Sequence, residues 1–354
     1  MKIKTMMMAS IMGLTMTACG GSSGISEYAK IIRANEGKND AVYDEKDASL
    51  KVVSLEQTKE SLLGNIEEIF MNDSIIGVVP TNKAKCVYLF DQEGKFKTKI
   101  DAQGNGPGEY KLLGKAFLYQ NNIVILDTFG RKLLYYNLDG EFCKETKLDQ
   151  VNGLLQGKLL DENHIIAAKQ DRSNPERATN TEIVITNLND SITREFVPRP
   201  EKFKHDYDVS DYFAVNKEGW YFIPLYTDRI CQLTPDSCRT VFDFKLGDLM
   251  YSLNEATGLS REERTQKYGH FWKLHMTDDG TFICATMLDK KVIGVCGNIH
   301  TGELKTCKYG YTRIRGTYKN DFYLLKDGEI DDVEGTQDNP SVVFIPSDKL
   351  LKGK

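Results

Sequence analysis

The chain lacks the features that mark several common classes of protein. No apolar run in the body approaches the roughly 20 residues that a membrane-spanning helix needs. Basic residues are not in excess, because 46 Lys and Arg stand against 51 Asp and Glu, a formal net charge of −5. The basic face of a nucleic-acid-binding protein is therefore not expected. No nucleophile elbow, zinc-protease motif or paired-carboxylate signature occurs, so the sequence indicates no catalytic residue.

Cysteine and histidine are too sparse and too scattered for a zinc site. There are 8 Cys and 5 His, and none of them has the spacing of a zinc ligand set. If Cys19 carries a lipid, seven cysteines remain, and an odd number cannot pair completely. Most lie in strand-like runs, which predicts reduced, buried thiols. One disulfide within the group Cys284, Cys296 and Cys307 is left open.

The N-terminus reads as an export signal rather than as part of the fold. Lys2 and Lys4 precede an apolar stretch, Met6 to Met16, that is too short to span a bilayer. The following Met16-Thr17-Ala18-Cys19 resembles a bacterial lipobox. This resemblance implies a signal peptide over residues 1–18 and a lipid on Cys19; an ordinary secretory signal cut near Ala18 is the alternative.

Residues 19–49 are predicted to form a lipidated, flexible tether, since the start of this segment is rich in Gly, Ser and charge. The lipid would then hold the body at the outer membrane. Acidic residues just after the lipidated cysteine usually accompany export to the cell surface. Gly20 to Gly24 contains none, which favours the periplasmic side.

The body, residues 50–354, shows a unit that recurs about every 49 residues. Each copy has an apolar strand, a break, a second strand, an Asn, Asp or Gly turn and a further strand. Equivalent positions in the six copies are Ile75, Ile123, Ile165, Tyr221, Phe282 and Phe322. Short strands at this period predict an all-β fold, a six-bladed β-propeller.

Two local features complete the prediction of the fold. The isolated strand Lys51 to Leu55 precedes the first copy, and the last copy looks one strand short, so this strand is expected to close the ring. Ser260 and Glu263 have the spacing of a capping box. They predict a short helix from about Arg261 to Tyr268, inserted before the fifth blade.

Two segments of the first copy carry a family resemblance. Phe90-Asp91-Gln92-Glu93-Gly94-Lys95-Phe96 and Gly104-Asn105-Gly106-Pro107-Gly108-Glu109-Tyr110 resemble the hairpin and turn of six-bladed propeller lipoproteins of anaerobic gut-type Gram-negative bacteria, related to NHL-repeat and TolB-like propellers. The resemblance implies an extracytoplasmic lipoprotein and brings no catalytic residues. The glycine-rich turn is interpreted as structural, because Pro107 and Glu109 do not suit a phosphate loop.

Candidate ligand-binding residues fall into two groups. His270 and Trp272 lie in a dense aromatic cluster and would share one strand face with Leu274, opposite Phe271, Lys273 and His275. The other group is arginines near predicted strand starts and joins: Arg131, Arg229, Arg313 and Arg315. Both groups have a structural alternative, a tryptophan in the core between blades and Arg/Asp pairs that tie blades together.

The function predicted from these features is a noncatalytic binding or assembly module. Its partner would be a glycan, a peptide or an outer-membrane protein, and no nucleic acid. The alternative is a hydrolase or lyase with a site at the mouth of the central channel. No cofactor is predicted. Calcium would need several oxygen ligands from different blades, and Asp127 is the one acid placed clearly at the end of an inner strand.

Overall fold

The protein is an all-β propeller of six blades, shown here by a computed structural model. The structure describes residues 27–34, 47–81, 86–148, 157–168, 181–189, 193–198, 213–224, 227–247, 271–288, 291–307, 314–328 and 338–352. Each blade is a four-stranded antiparallel sheet.

The first three blades follow one another along the chain. Blade 1 contains β2 (Ile66–Met71), β3 (Ile76–Pro80), β4 (Val87–Phe90) and β5 (Phe96–Ile100). Blade 2 contains β6 (Leu113–Tyr119), β7 (Asn122–Asp127), β8 (Lys132–Tyr136) and β9 (Phe142–Lys147). Blade 3 contains β10 (Lys158–Leu159), β11 (His164–Ala168), β12 (Thr181–Asn187) and β13 (Thr193–Pro198).

The remaining blades complete the ring. Blade 4 contains β14 (Ala214–Asn216), β15 (Gly219–Phe222), β16 (Arg229–Thr234) and β17 (Ser237–Asp243). Blade 5 contains β18 (Phe271–Met276), β19 (Thr281–Leu288), β20 (Lys291–Asn298) and β21 (Leu304–Cys307). Blade 6 contains β22 (Ile314–Tyr318), β23 (Asp321–Lys326), β24 (Ser341–Pro346) and, from the other end of the chain, β1 (Lys51–Ser54).

The core lies between the blades, which is why the central strands are continuous apolar runs. In β7, all four residues from Ile123 to Leu126 are fully buried. Successive side chains of a strand point to opposite faces. Ile123 and Ile125 accordingly pack towards blade 1, whereas Val124 and Leu126 pack towards blade 3. Each middle strand therefore supplies two inter-blade cores at once.

The predicted closure of the ring is confirmed. β1 pairs antiparallel with β24, with Lys51 opposite Phe344 and Ser54 opposite Ser341. The chain then crosses to blade 1, where the Glu56 N–H donates to the Gly94 carbonyl at 2.8 Å. The first and last blades are thus joined by backbone hydrogen bonds on both sides of one short segment.

A buried side chain holds this crossing in place. The Asn339 amide donates to the carbonyls of Glu56 at 3.0 Å and Ser61 at 2.7 Å, and its oxygen accepts from the Leu63 N–H at 3.1 Å. Asn339 is only 7% exposed. It therefore satisfies three backbone groups of a segment that has no strand partner of its own.

The predicted tether is wrong for part of its length. Residues Glu27–Ala34 form helix α1, and its Ala29 and Ile32 are fully buried. They belong to the same core cluster as Phe242 and Leu304, in blades 4 and 5. Buried apolar residues spaced three apart match the period of a helix, and this pattern outweighs the polar composition of the segment.

A second helix, α2 (Ser347–Lys352), ends the described chain. Its Leu350 is fully buried, and the Ser347 hydroxyl donates to the Asp279 carboxylate at 2.6 Å. The helix predicted from about Arg261 to Tyr268, the residue Cys19 and residues 1–18 lie outside the described residues.

The glycine-rich turn between blades 1 and 2 is structural, as predicted. The Tyr110 N–H donates to the Ala102 carbonyl, and the Gly104 N–H donates to the Tyr110 carbonyl. The Glu109 carboxylate accepts from the Gly106 N–H at 2.7 Å, so it occupies the place of an external anion. Tyr110 is fully buried beneath the turn.

The prediction of reduced thiols holds for the described cysteines. Six form no disulfide: Cys86, Cys143, Cys231, Cys238, Cys284 and Cys296. A disulfide between Cys284 and Cys296 is thereby excluded, although each lies in the hydrophobic core. Burial raises the pKa of the Cys284 thiol well above its usual value, so this thiol stays protonated and unreactive.

We expect Asn339→Ala to lower the free energy of unfolding by about 2–4 kcal/mol, because three backbone groups lose their partner and at least one stays buried. Equilibrium urea denaturation measures the change. Asn121→Ala is the control, since Asn121 is an exposed turn residue, and its cost should stay within about 0.5 kcal/mol. Equal costs for the two variants would show that Asn339 does not hold the closure.

Candidate functional site

The candidate site is a cavity of about 460 Å³ on the axis of the propeller. Every blade contributes its first strand to the wall, so β2, β6, β10, β14, β18 and β22 are the innermost strands. Cavities of roughly 300–1,000 Å³ are typical of sites for small molecules. Ring closure therefore produces a site of useful size from strands that are far apart in sequence.

Aromatic side chains form much of the wall. Six contribute: Phe70, Phe117, Tyr119, Phe213, Trp220 and Tyr323. Phe213 and Trp220 meet edge to face, with their ring centroids 5.8 Å apart. The Tyr323 hydroxyl donates to the Ile69 carbonyl at 3.0 Å, which fixes that ring between blades 6 and 1. Such a wall can stack against the apolar face of a ring.

The polar part of the wall is cationic. Lys115, Lys158 and Arg315 line the cavity together with His275, and none of the described lining residues is a carboxylate. Lys115 forms an ion pair with Glu68 of the neighbouring blade, and the Glu68 carboxylate also accepts from the Ala116 N–H at 3.0 Å. Glu68 thus pairs with Lys115 from β2 of blade 1 without itself lining the cavity.

A β-bulge interrupts the innermost strand of four blades. The extra residue is Glu67 in β2, Gly114 in β6 and Arg315 in β22. In β18, Lys273 and Leu274 together oppose one residue of β19, and Lys273 has a φ of 55°. A bulge changes the direction of the side chains that follow it. Arg315 therefore faces the cavity from a bulge rather than from regular strand geometry.

The bulges change the spacing of buried residues from two to three. Ile66 and Ile69 are buried in one core cluster, and Leu113 and Ala116 share another. The pattern is visible in the sequence once the strands are aligned: Ile66-Glu67-Glu68-Ile69-Phe70, Leu113-Gly114-Lys115-Ala116-Phe117, Phe271-Trp272-Lys273-Leu274-His275 and Ile314-Arg315-Gly316-Thr317-Tyr318. Phe70, Phe117 and His275 are the fifth residues of their segments, and all three line the cavity.

The predicted faces of the His270 to His275 segment are wrong for this reason. Regular alternation places Phe271 and Leu274 on opposite faces. In the structure, Phe271, Leu274 and Met276 all belong to one buried cluster, because the bulge inserts a residue between the first two. His275 then lines the cavity.

The structure separates the predicted ligand residues. Arg315 lines the cavity, whereas Arg131 and Arg229 make contacts within their own blades. The Arg131 guanidinium donates to the Leu148 carbonyl at 3.4 Å, and Arg229 faces Asp243 across β16 and β17 at 3.7 Å. Both contacts are structural, but they lie within one blade, so neither arginine forms the predicted Arg/Asp pair between blades.

The other predicted positions yield less. His270 and Arg313 lie outside the described residues. Trp272 belongs to β18, and the structure describes its backbone but not its side chain. The tryptophan in the described wall of the cavity is Trp220. In the sequence it reads as an ordinary strand residue, because its place at the channel depends on which strand of the blade is innermost.

Asp127 serves the turn around it. Its carboxylate is fully buried and accepts from the N–H groups of Lys111 at 2.8 Å, Leu112 at 3.1 Å and Gly130 at 2.7 Å. Its oxygens are thus used by backbone donors. Among the described residues, no group of three His, Cys, Asp or Glu is placed to hold a metal ion.

The cavity reaches the end of the channel at which the innermost strands turn into their neighbours. Met71 and Met276 are the last residues of β2 and β18, and Gln120 lies in the turn after β6; all three belong to the wall. We call this end of the propeller the turn face. The turns of neighbouring blades are linked there, since the Asp278 N–H donates to the Lys319 carbonyl at 2.9 Å.

Comparison with protein families gives a match that covers nearly the whole chain. The model of a domain of unknown function, DUF4934, matches residues 32–350. The chain belongs to this family. The matched region begins inside α1 and ends inside α2, so it includes all six blades. The comparison with curated proteins gives no match.

Two solved structures show the same fold at low identity. A protein described as exported, from Bacteroides fragilis, is 16% identical, with a TM-score of 0.63 over 83% of this chain and 94% of its own. A member of the DUF4221 family from Bacteroides vulgatus is 13% identical, with a TM-score of 0.52 over 83% and 95%. In the described part of this chain, no helix is both long enough and apolar enough to cross a bilayer.

We expect Asp127→Asn to lower the free energy of unfolding by about 2–4 kcal/mol, because an amide cannot accept from all three N–H groups and places its own donor against them. Asp139→Asn, at an exposed turn carboxylate, should cost less than about 1 kcal/mol. Thermal unfolding with millimolar calcium checks the role of Asp127 further. A calcium-dependent rise in Tm that disappears in Asp127→Asn would contradict a purely structural role.

Proposed function

We propose that the protein is a noncatalytic binding module of the cell envelope, with its ligand site in the central cavity. The observation that carries the proposal is the wall itself: six aromatic rings and several cationic or polar groups converge from all six blades on one cavity. A wall that combines aromatic rings with placed polar groups is suited to binding a small molecule. The ligand would be a glycan or a peptide that inserts a small group into the cavity.

Glu68, which pairs with a lysine of the cavity wall, and Asp127, at the end of β7, both support binding more than catalysis. Glu68 pairs with Lys115 and accepts from a backbone N–H, and Asp127 accepts from three backbone N–H groups. A general acid or base needs a proton that it can exchange with a substrate. Neither carboxylate is arranged for that, and both instead hold neighbouring segments in position.

The envelope location rests on the N-terminus and on the relatives. The lipobox-like Met16 to Cys19 supports lipidation of Cys19 and attachment to the outer membrane, with the periplasmic side favoured by the absence of acids in Gly20 to Gly24. The similar protein from Bacteroides fragilis is described as exported. Export of this chain is consistent with both.

The test is a thermal-shift screen of the purified protein with neutral and acidic oligosaccharides and short peptides. A bound compound at 100 times its Kd stabilises the fold by about 2.7 kcal/mol. For the compounds that raise Tm, we expect Trp220→Ala to weaken binding about tenfold, because the ring loses its stacking partner.

Phe129→Ala is the matched control for Trp220→Ala. Phe129 is an aromatic residue that is 73% exposed in the turn between β7 and β8, and its loss should leave binding unchanged. Equal affinity in the wild type and the Trp220→Ala variant, for every compound that binds, would place the ligand site elsewhere.

A further inference from the structure

The first inference deepens the proposed function and rests on it: it concerns the charge of the ligand. The cavity wall carries Lys115, Lys158 and Arg315, whereas the chain as a whole has a formal charge of −5. The sign of the cavity therefore opposes that of the protein. A recess lined by charge of one sign concentrates ligands of the opposite sign.

Arg315 is the cation best placed to recognise an anionic group. It is the extra residue of the bulge in β22, and it is exposed. A guanidinium offers paired N–H donors that match a carboxylate or a phosphate. The aromatic rings of Phe213 and Trp220 line the same cavity, so an anionic group and a ring face can be held together.

We propose that the cavity binds a sugar ring that bears an anionic oxygen group, either a carboxylate or a phosphate. The aromatic wall stacks on the C–H face of the ring, and Arg315 with Lys158 binds the anion. Glu68 reduces the charge of Lys115, and Arg315 is the cation of the described wall that we expect to select the ligand.

Isothermal titration of the full protein with galactose, galacturonate and galactose 6-phosphate tests this directly, since the three differ at one carbon. At least one anion should bind about tenfold more tightly than galactose, and added salt should weaken it. The galacturonate and phosphate arms distinguish the two anionic groups. Galactose binding as tightly as either anion, or no binding of either anion, would overturn the proposal.

Arginine variants locate the contact. Arg315→Gln should weaken binding of the preferred anion about tenfold, whereas Arg229→Gln, an exposed arginine in blade 4, should not change it. Equal effects of the two variants would also overturn the proposal. If galactose is the one sugar that binds, and its binding is weakened by Trp220→Ala, the proposal of an anionic ligand is wrong but the proposed binding function is supported. If Trp220→Ala weakens the binding of no compound, both the proposed binding site and its proposed ligand are wrong.

The second inference comes from helix α1, which fixes where the tether leaves the body. The Tyr28 hydroxyl, in the first turn of the helix, donates to the Gly302 carbonyl at 2.8 Å. Gly302 lies in the turn between β20 and β21. That turn contacts the turn between β18 and β19, because the Ile299 N–H donates to the Gly280 carbonyl at 3.0 Å. The N-terminal end of α1 therefore lies at the turn face.

The chain between this point and Cys19 is short. Residues 20–26 number seven, and seven residues span at most about 25 Å in any conformation. The opposite face of the propeller is farther away by one strand length, roughly 20 Å. Residues 20–26 would therefore have to be almost fully extended for the face opposite the turn face to lie against a bilayer.

We infer that the anchored protein holds its turn face, and with it the mouth of the cavity, towards the membrane. This inference depends on the proposed lipid at Cys19 and not on the identity of the ligand. A ligand would then enter from the membrane side, so the partner that presents it is expected at the bilayer surface.

Lysine acetylation followed by mass spectrometry tests the orientation. The lipidated full-length protein is placed in vesicles of phosphatidylethanolamine and phosphatidylglycerol, and a soluble Cys19→Ser chain with empty vesicles is the reference. Lys217 and Lys319 lie in turns of the turn face, whereas Lys111 and Lys245 lie at the opposite face; all four are exposed. Modification of the first pair should fall severalfold on anchoring and that of the second pair should not.

Protection of Lys111 and Lys245, or of neither pair, would overturn the orientation. The mass of the N-terminal peptide separates this outcome from failure of the anchor, because a Cys19 without acyl chains would refute lipidation itself. Ligand binding by the soluble Cys19→Ser chain is unaffected by either result.

Discussion

The structure depends on one constraint: every blade must bury both faces against its neighbours, so the ring is stable only when it is closed. Closure is carried by β1, which comes from the N-terminal part of the chain and completes a sheet made by the C-terminal part. Asn339 holds the crossing from that sheet to blade 1 through three backbone groups. Since a propeller has no other core, the packing of each blade is linked to this seam.

Closure also creates the candidate site. Once six sheets surround an axis, their first strands face one another, and a cavity forms without a dedicated insertion. The bulges in β2, β6, β18 and β22 adapt these strands to the narrow centre. They place buried core residues three positions apart, as at Ile66 and Ile69, and two residues beside the bulges, Lys115 and Arg315, line the cavity. The bulges therefore contribute both to the packing between blades and to the lining of the cavity.

The sequence predicted the middle strands of the blades better than the innermost strands. Middle strands such as Ile123 to Leu126 are continuous apolar runs, which are easy to recognise because both faces are buried. The innermost strands mix apolar, charged and aromatic residues, and their bulges disturb the alternation. Regular alternation consequently predicts Trp272 and Leu274 on one face, although Leu274 packs with Phe271. The composition of residues 19–49 likewise concealed the buried side of α1.

By itself, the sequence determined the number of blades, the repeat and the closing strand, because these follow from local patterns of apolar residues and turns. The tertiary structure alone decided which residues share the cavity. Arg315, Trp220 and Lys158 lie far apart in the chain and belong to three different blades, so their convergence depends on ring geometry. It also assigned Arg131, Arg229 and Asp127 to structural contacts. The physical reason is that a local pattern specifies a strand and its turn, whereas a binding cavity is a property of the closed ring.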